Sequence, residues 1–335
     1  MDNHQICFLS ENQVTLRKSK CDDITDPNAI RIKTETSILS AGTELACLRG
    51  SESWAPFPFV PGYGSVGRVI ETGDAVTDFK VGNRVFTYGR HEQYSFANTV
   101  IEKIPEDLPS EKAVFARMAA VSITALRVAD VELGDKVAVM GLGLVGNFAA
   151  QLFTLAGCDV IAVDLSEKRR HIAEQCGIWK TFAPSDHLED TIKELTDGKK
   201  CRSVIDATGV PAVAEKAPLL AGKEGELILL GSPRGEHQTD LTSFLNFSHL
   251  AGFGCITVKG AHEYRFPQRE DPEGRYRHSF QSNVKVILDR IADGRLKTEE
   301  LISHRVKPSE CEEIYQTLRL HGGEAMGVVF DWADA

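Results

Sequence analysis

Three closely spaced glycines carry the clearest chemical signal in the chain. Gly141, Gly143 and Gly146 form the pattern G-x-G-x-x-G, directly after an apolar run and directly before a helical pattern. In this context the first glycine makes a tight turn, the second lets the backbone approach a pyrophosphate, and the third lets helix and strand pack closely. The alternative is an ordinary glycine turn between two buried elements. We predict a dinucleotide phosphate site formed by Gly141, Gly143, Leu144, Val145 and Gly146.

A carboxylate follows at the separation that ribose recognition requires. Asp164 ends the apolar run VIAV about twenty residues after the glycines, where it can accept hydrogen bonds from both ribose hydroxyls and repel a 2′-phosphate. Its position favours NAD over NADP. The basic residues Lys168, Arg169 and Arg170 follow closely and keep NADP as an alternative, although they are also typical of a solvated helix face. Among them, Arg169 is the predicted cofactor contact.

The surrounding pattern indicates how such residues would come together. Between residues 136 and 232, apolar strand patterns alternate with helical patterns, which predicts a parallel sheet. Ligands of these sheets bind at the carboxyl ends of the strands. Thr208, Gly231 and Ser232 follow later strand patterns, so we expect them to line the same cofactor groove.

The flanking regions have a different character. Before residue 120, short β-branched alternations separated by Gly, Pro, Asn and Asp are typical of a strand-rich barrel. Beyond the sheet lie the strand pattern CITVKGA, the helical patterns SNVKVILDRIADG and ECEEIYQTLRL, and the strand pattern MGVVFDW. We expect an α/β protein with residues 1–120 and 265–335 in one domain and residues 121–264 in the dinucleotide-binding domain.

The amino-acid composition limits the classes of function that the protein can have. The chain has 335 residues, 42% of them hydrophobic and 26% charged, which suits two globular domains. A net charge of −10 without basic clusters argues against nucleic acid and membrane surfaces as partners. Residues 137–158 lack charge, but interspersed Asn, Gln and Gly favour strand, turn and helix over a membrane span. Scattered cysteines and a start without signal-peptide features predict a cytoplasmic protein.

Four motifs together resemble one enzyme family. AGTEL, VPGYGSVGRV, VGNRV and GLGLVG are similar to motifs of the medium-chain dehydrogenases/reductases, and the resemblance covers nearly the whole chain. Within that family, SAGTEL and PGYGSVGRV most resemble the branch of bacteriochlorophyllide 2-hydroxyethyl dehydrogenases and related sugar or alcohol dehydrogenases. The resemblance implies a GroES-like β-barrel catalytic domain, a doubly wound Rossmann domain, and a homodimer formed through the CITVKGA strand.

The chain departs from the zinc enzymes of that family at each metal position. Those enzymes carry Cys before Gly-Thr, His-Glu after Pro-Gly, and Cys or Glu in the helix before the nucleotide domain. Here these positions hold Ala41, Tyr63 with Gly64, and Ala116 or Arg117. The family's structural zinc loop of four cysteines is also missing from the sequence. We therefore expect no zinc, because a zinc site needs Cys, His or carboxylate ligands.

The resemblance and the missing ligands suggest a different set of catalytic groups. Thr43 matches the family's proton-relaying hydroxyl, and Glu44 matches an acid that could orient Tyr63 or pair with Arg117. We hypothesise that Tyr63 and Thr43 handle the proton while Arg117 lowers the pKa of the phenol or stabilises negative charge. Tyr63 as a packing residue is the competing interpretation, and for Arg117 a structural ion pair with Glu44 is favoured over catalysis.

Other candidates rest on weaker signals. His91, with Glu92, could supply a base or a metal ligand together with Cys47, although a surface loop histidine is the favoured interpretation. Trp54 could form an apolar substrate wall with neighbouring phenylalanines, or belong to the core. Tyr264 follows the final sheet strand and could approach the nicotinamide.

Three functions compete. The leading one is an NAD-dependent, zinc-independent dehydrogenase acting on a secondary alcohol, polyol or sugar hydroxyl. The second is a zinc-free enoyl or quinone reductase that uses NADPH, against which Asp164 argues. The third is a non-catalytic NAD(H)-binding sensor, against which the retained Thr43 and Glu44 argue.

Overall fold

The computed structural model describes residues 1–321 and 325–333 and divides the chain into two compact units. One unit comprises Met1–Arg117, Pro267–Gly294 and Leu301–Ala335. The other comprises Met118–Phe266 and Arg295–Glu300. None of the helices within the described residues is both long and apolar enough to cross a bilayer.

The first unit begins with strands and short helices. Its first nine elements are β1 (Asp2–Ser10), β2 (Gln13–Lys20), β3 (Ile30–Leu39), α1 (Ala41–Leu48), β4 (Ser65–Thr72), β5 (Arg84–Thr87), β6 (Tyr94–Ala97), β7 (Ile101–Lys103) and α2 (Ser110–Ala113). The predicted strand-rich character is confirmed. Helix α1 went unrecognised in the sequence because it contains Gly42 and Thr43, which are weak helix formers.

The second unit alternates strands and helices as predicted. Helix α3 (Ala116–Val128) begins in the first unit, whose first segment ends at Arg117, and continues in the second. The other elements of the second unit are β8 (Lys136–Met140), α4 (Leu144–Leu155), β9 (Asp159–Val163), α5 (Glu167–Gln175), β10 (Lys180–Phe182), α6 (Leu188–Leu195), β11 (Cys201–Asp206), α7 (Pro211–Lys216), β12 (Ala221–Leu229), α8 (Leu241–His249) and β13 (Thr257–Gly260). The sheet order is β10-β9-β8-β11-β12-β13, and the pairings are parallel. Buried residues such as Ala138, Ile161, Val204 and Leu227 form its core, which explains the continuous apolar runs of the strands.

The chain then returns to the first unit. The last elements are α9 (Phe280–Ala292), β14 (Ile302–Val306), α10 (Cys311–His321) and β15 (Gly327–Asp331). The two predicted amphipathic helices and the final strand are therefore confirmed. The sheet of this unit runs β14-β15-β3-β4-β5-β7, with β6 paired to β3. Phe8, Tyr315, Phe330 and Trp332 are fully buried in its core, so the C-terminal segment is an integral part of the unit that carries Tyr63.

Candidate active site

Tyr63 lies in the turn before β4, beside the start of α1. Its hydroxyl donates a hydrogen bond to Ser40 Oγ, and the Thr43 side chain also interacts with it. Burial raises the pKa of the Tyr63 phenol, and the charge of Arg117 opposes that rise without cancelling it. The phenol is therefore protonated near neutral pH and has a proton to donate. Sequence reasoning had not singled out Ser40.

Arg117 packs directly on this phenol. Its guanidinium carbon lies 4.5 Å from the centre of the Tyr63 ring and 4.2 Å from that of Tyr88. Its Nε donates a hydrogen bond of 3.0 Å to the Tyr63 carbonyl oxygen. A Cβ on Gly64 would lie 2.7 Å from both Cβ and Cγ of Arg117, so glycine at position 64 makes room for the arginine stem. In this buried setting a cation–π contact contributes about 2 kcal/mol.

Glu44 has different partners from those expected. Its Oε1 accepts the Ser40 backbone N–H at 2.7 Å, and its Oε2 accepts from the Tyr315 hydroxyl and lies 3.1 Å from His91 Nε2. The favoured ion pair between Glu44 and Arg117 is wrong, because among the described residues these three groups bind the Glu44 carboxylate. Glu44 acts on Tyr63 only through its charge, which raises the pKa of the phenol, and through Ser40.

His91 is fully buried, so its interpretation as a surface histidine is wrong. Its Nδ1 lies 2.7 Å from Ser37 Oγ, which also accepts a hydrogen bond of 2.9 Å from Trp332 Nε1. With a proton on Nε2, both neighbours are satisfied, since Ser37 then donates to Nδ1 and Nε2 donates to Glu44. Gly62, with φ of +92°, allows this close packing because a Cβ there would lie 2.6 Å from His91 N.

The suggested metal ligands have other contacts. Glu92 Oε2 lies 3.3 Å from Asn3 Nδ2, and burial raises the pKa of this carboxyl to about 7. Cys47 belongs to the apolar core of the first unit. Over residues 1–321 and 325–333, no group of three or more His, Cys, Asp or Glu side chains is arranged to hold a metal ion.

The aromatic candidates lie at the surface. Trp54 is 57% exposed, its Nε1 donates to Glu52 Oε2 at 2.9 Å, and its ring meets the edge of Phe59. Its exposure excludes the interpretation as a core residue. Tyr264 belongs to the second unit, is exposed, and stacks on His262 with ring centres 5.4 Å apart.

The glycine turn of the second unit has the geometry of a phosphate cradle. Gly141 has φ of +88°, and a Cβ on Gly146 would lie 1.8 Å from Gly141 O, so neither position tolerates a side chain without a backbone shift. Gly143 caps α4 without a side-chain hydrogen bond, and a Cβ there would meet nothing within 4 Å. Open space therefore lies at a helix start whose first N–H groups, including those of Leu144 and Val145, have no partner within the helix.

Asp164 connects strand β9 to that turn. Its Oδ2 accepts the Leu142 N–H and its Oδ1 accepts the Ser166 N–H, each at 2.7 Å. Arg169 Nη1 lies 3.8 Å from Oδ2, and Arg170 donates to the Asp164 carbonyl oxygen. Sequence reasoning missed this structural role of the carboxylate. Its ribose contacts, and a cofactor contact by Arg169, stay predictions.

The loops after β11 and β12 interlock beside the glycine turn. Thr208 donates to Asp206 Oδ1 from both its N–H and its Oγ1, at 2.9 and 2.6 Å. Cβ atoms added to Gly209 and Gly231 would lie 2.4 Å from Ser232 O and Gly209 N respectively. Because β8, β11 and β12 are parallel neighbours, these loops and the glycine turn share one edge of the sheet. Cofactor contacts by Thr208, Gly231 and Ser232 remain predictions.

Comparison with known proteins places both units in one family. Residues 26–100 match the alcohol dehydrogenase GroES-like domain, and residues 145–275 match the zinc-binding dehydrogenase domain. D-guloside 3-dehydrogenase of Escherichia coli K12 is 33% identical over 276 residues, which are 79% of this chain and 76% of that protein. Sorbitol dehydrogenase 2 of Saccharomyces cerevisiae is 24% identical over 312 residues, 81% of each chain.

A solved structure has the same fold at lower sequence identity. A short chain alcohol dehydrogenase from Escherichia coli CFT073, complexed with cofactor NADH, matches with a TM-score of 0.81 and 18% identity over 98% of this chain and 99% of that one. The GroES-like unit and the Rossmann unit expected from the resemblance are thus confirmed. The chain belongs to the zinc-type alcohol dehydrogenase-like family of medium-chain dehydrogenases/reductases and is an oxidoreductase.

Proposed function

We propose that this chain is a zinc-independent dehydrogenase that transfers hydride between a nicotinamide dinucleotide and a secondary hydroxyl of a polyol, sugar or glycoside. The observation that carries the proposal is the Arg117 guanidinium packed on the ring of Tyr63. Burial raises the pKa of this phenol, which favours its protonated form. By their sequence motifs, these are positions where zinc enzymes of the family carry metal ligands. The relatives named for sorbitol and D-guloside support the hydroxyl class of the substrate.

The residues at the former metal positions do not fit zinc. Ala41 and Arg117 offer no Cys, His or carboxylate donor, and the guanidinium would repel a second cation close to it. The arginine stem occupies the space that a side chain at Gly64 would need. We therefore derive no step through a metal ion.

The side chains of this unit can supply the proton chemistry. The nicotinamide, when bound, accepts or donates the hydride. In ketone reduction, Tyr63 donates its phenol proton to the oxygen that becomes the alcohol, and in oxidation it takes that proton back. Arg117 stabilises the negative charge that develops on the phenol oxygen, and Thr43 adds a second hydroxyl beside it.

The preferred cofactor in this proposal is NAD. The open glycine turn fits a pyrophosphate, and the Asp164 carboxylate disfavours a 2′-phosphate by like charge. Arg169, at 3.8 Å from that carboxylate, offsets part of the charge. Titration of the protein with NADH and with NADPH tests the preference, and we expect NADH to bind more tightly.

Turnover by matched tyrosine variants tests the catalytic proposal. The assay follows NADH absorbance in chelator-dialysed protein incubated with NAD and a pool of sorbitol, 2,3-butanediol and glycosides. Tyr63→Phe should lower kcat by at least about a hundredfold, because a group aimed at the developing charge is lost. Tyr276→Phe is the control, since Tyr276 is an exposed loop residue.

The outcomes separate the candidate functions. Full turnover by Tyr63→Phe would remove the phenol from the mechanism. No turnover by the wild type, together with reduction of conjugated ketones by NADPH, would favour the reductase. NADH binding without turnover on either panel would favour the sensor.

We also propose that the protein forms a homodimer through β13. This strand is at the edge of the parallel sheet, and Val258 on it is 39% exposed. An edge strand presents N–H and C=O groups to which a second copy can add. Light scattering at micromolar concentration should give the mass of a dimer, and a monomer would contradict this.

A further inference from the structure

Ser40 occupies a capping position but does not cap its helix. It is the N-cap residue of α1, yet its side chain accepts no hydrogen bond from the first turn. A serine at this position ordinarily binds a backbone N–H there, which stabilises the helix. Here Ser40 Oγ instead accepts the hydrogen bond from the Tyr63 hydroxyl. The hydroxyl of Ser40 is thus directed to the phenol and away from the helix.

A buried carboxylate holds the backbone of Ser40 in place. Glu44 is 1% exposed, and its Oε1 accepts the Ser40 N–H at 2.7 Å. The other oxygen of Glu44 is held by Tyr315 and His91. These partners come from distant parts of the chain and fix the Glu44 carboxylate, which in turn fixes the start of α1. The Ser40 residue itself remains partly exposed. Rigid support of this kind is what a precisely placed functional group requires.

We propose that Ser40 is a positioning residue that exchanges the proton of Tyr63 with solvent, a role that rests on the proposed dehydrogenase function. During oxidation the substrate carbon gives its hydride to the oxidised nicotinamide, and the substrate hydroxyl gives its proton to the Tyr63 oxygen. Tyr63 passes its own proton to Ser40 Oγ, and Ser40 passes its own to water. The step releases one proton per hydride, and reduction runs in the opposite direction.

This assigns to Ser40 a proton-relay role similar to the one that the family resemblance implied for Thr43. Both side chains act on the Tyr63 phenol, but only the Ser40 contact meets the geometric criteria of a hydrogen bond. Thr43 lies one turn further along α1 and serves as a second, weaker contact.

The first readout of the experiment needs no substrate. The ring Cζ signal of Tyr63 is followed by NMR in protein labelled on tyrosine and is assigned by its absence in Tyr63→Phe. Ser40→Ala should shift this signal at neutral pH, and Ser40→Thr, which keeps the hydroxyl, should not. Ser51→Ala, an exposed serine just beyond α1, is the matched control. An unchanged signal in Ser40→Ala would overturn the proposal.

The second readout is turnover of the pool of sorbitol, 2,3-butanediol and glycosides with NAD. Ser40→Ala should lower kcat about tenfold with little change in KM, and Ser40→Thr should restore it. An inactive Tyr63→Phe beside a fully active Ser40→Ala would overturn the role of Ser40 alone. A fully active Tyr63→Phe would overturn both this proposal and the proposed role of the phenol.

Discussion

The glycine turn and the Tyr63 cluster differ in how the chain builds them. The turn is a local feature, because Gly141, Gly143 and Gly146 lie within six residues and its geometry follows from their missing side chains. The Tyr63 cluster is assembled from residues that are far apart in sequence, as the contacts of Tyr63 with Ser40 and Arg117 illustrate.

This difference explains why one region is a recognisable motif and the other is not. A backbone cradle for phosphate requires particular residues at fixed spacing. A cluster of side chains requires only that suitable groups meet in the fold, so its members can change while the surrounding turn persists. Here the turn around Pro61 and Gly62 resembles that of the zinc enzymes, while the groups that it carries are a phenol and, beside it, a guanidinium.

The largest effect is expected where the local region is broken. Gly146→Ala would place a Cβ 1.8 Å from Gly141 O, so the turn must move. We expect the affinity for NADH to fall at least tenfold. The melting temperature should also fall, because the free energy of unfolding decreases by about 3 kcal/mol. Gly198→Ala is a control without a steric clash, although its positive φ adds strain of about 1 kcal/mol. Unchanged NADH binding by Gly146→Ala would contradict the role of this glycine turn in binding the cofactor.

A somewhat smaller effect is expected from the distributed cluster. Arg117→Met keeps the length of the stem but removes the stacked cation and the hydrogen bond to the Tyr63 carbonyl. We expect a loss of about 2 kcal/mol in transition-state stabilisation, measured as kcat/KM on the same substrates. Arg305→Met is the control, because Arg305 is exposed and pairs with Glu111 at the surface. This substitution should lower the free energy of unfolding by less than about 1 kcal/mol and leave turnover unchanged. Equal turnover in both variants would show that Arg117 is purely structural.

Cofactor choice gives a finer test of the local region. Asp164→Ser removes the charge expected to repel a 2′-phosphate and also the bonds to the Leu142 and Ser166 N–H groups. The ratio of NADPH to NADH affinity should rise roughly tenfold. Asp190→Asn, on the surface of α6, is the control. A ratio that stays constant would mean that another residue sets the preference.

The smallest effect concerns pH in the first unit. Burial raises the pKa of Glu92 from 4.5 to about 7, so folding favours its neutral form and stability falls as pH rises from 4.5 through 7. Glutamine does not titrate, so the stability of Glu92→Gln relative to the wild type should increase as pH rises from 4.5 to 7. The increase should be on the order of 1 kcal/mol in the free energy of unfolding. Urea unfolding at the two pH values measures the change. A difference that does not vary with pH would contradict the raised pKa.

The predictions from sequence succeeded where neighbouring residues decide the structure. The alternation of strand and helix patterns correctly predicted the parallel sheet, and α4 begins at Leu144, as expected after the glycine turn. They failed where tertiary contacts decide. His91 is in a loop by sequence, yet contacts with Gly62, Ser37 and Glu44 bury it completely.

The hydrogen-bond partners in the candidate site could not be predicted from the sequence either. No local pattern relates Tyr315 to Glu44, which are 271 residues apart and share a hydrogen bond. Ser40 could have been noticed as a serine before a helix, but α1 itself was not recognised. Its failure to cap α1 can be seen only in the structure.

The most direct test of the central claim is NADH formation by chelator-dialysed protein with and without added zinc, on the pool of sorbitol, 2,3-butanediol and glycosides. If Tyr63 and Arg117 act in place of a metal, the rate survives chelation and does not increase with zinc. A rate that disappears on chelation and returns with stoichiometric zinc would contradict the account and restore a metal to this site.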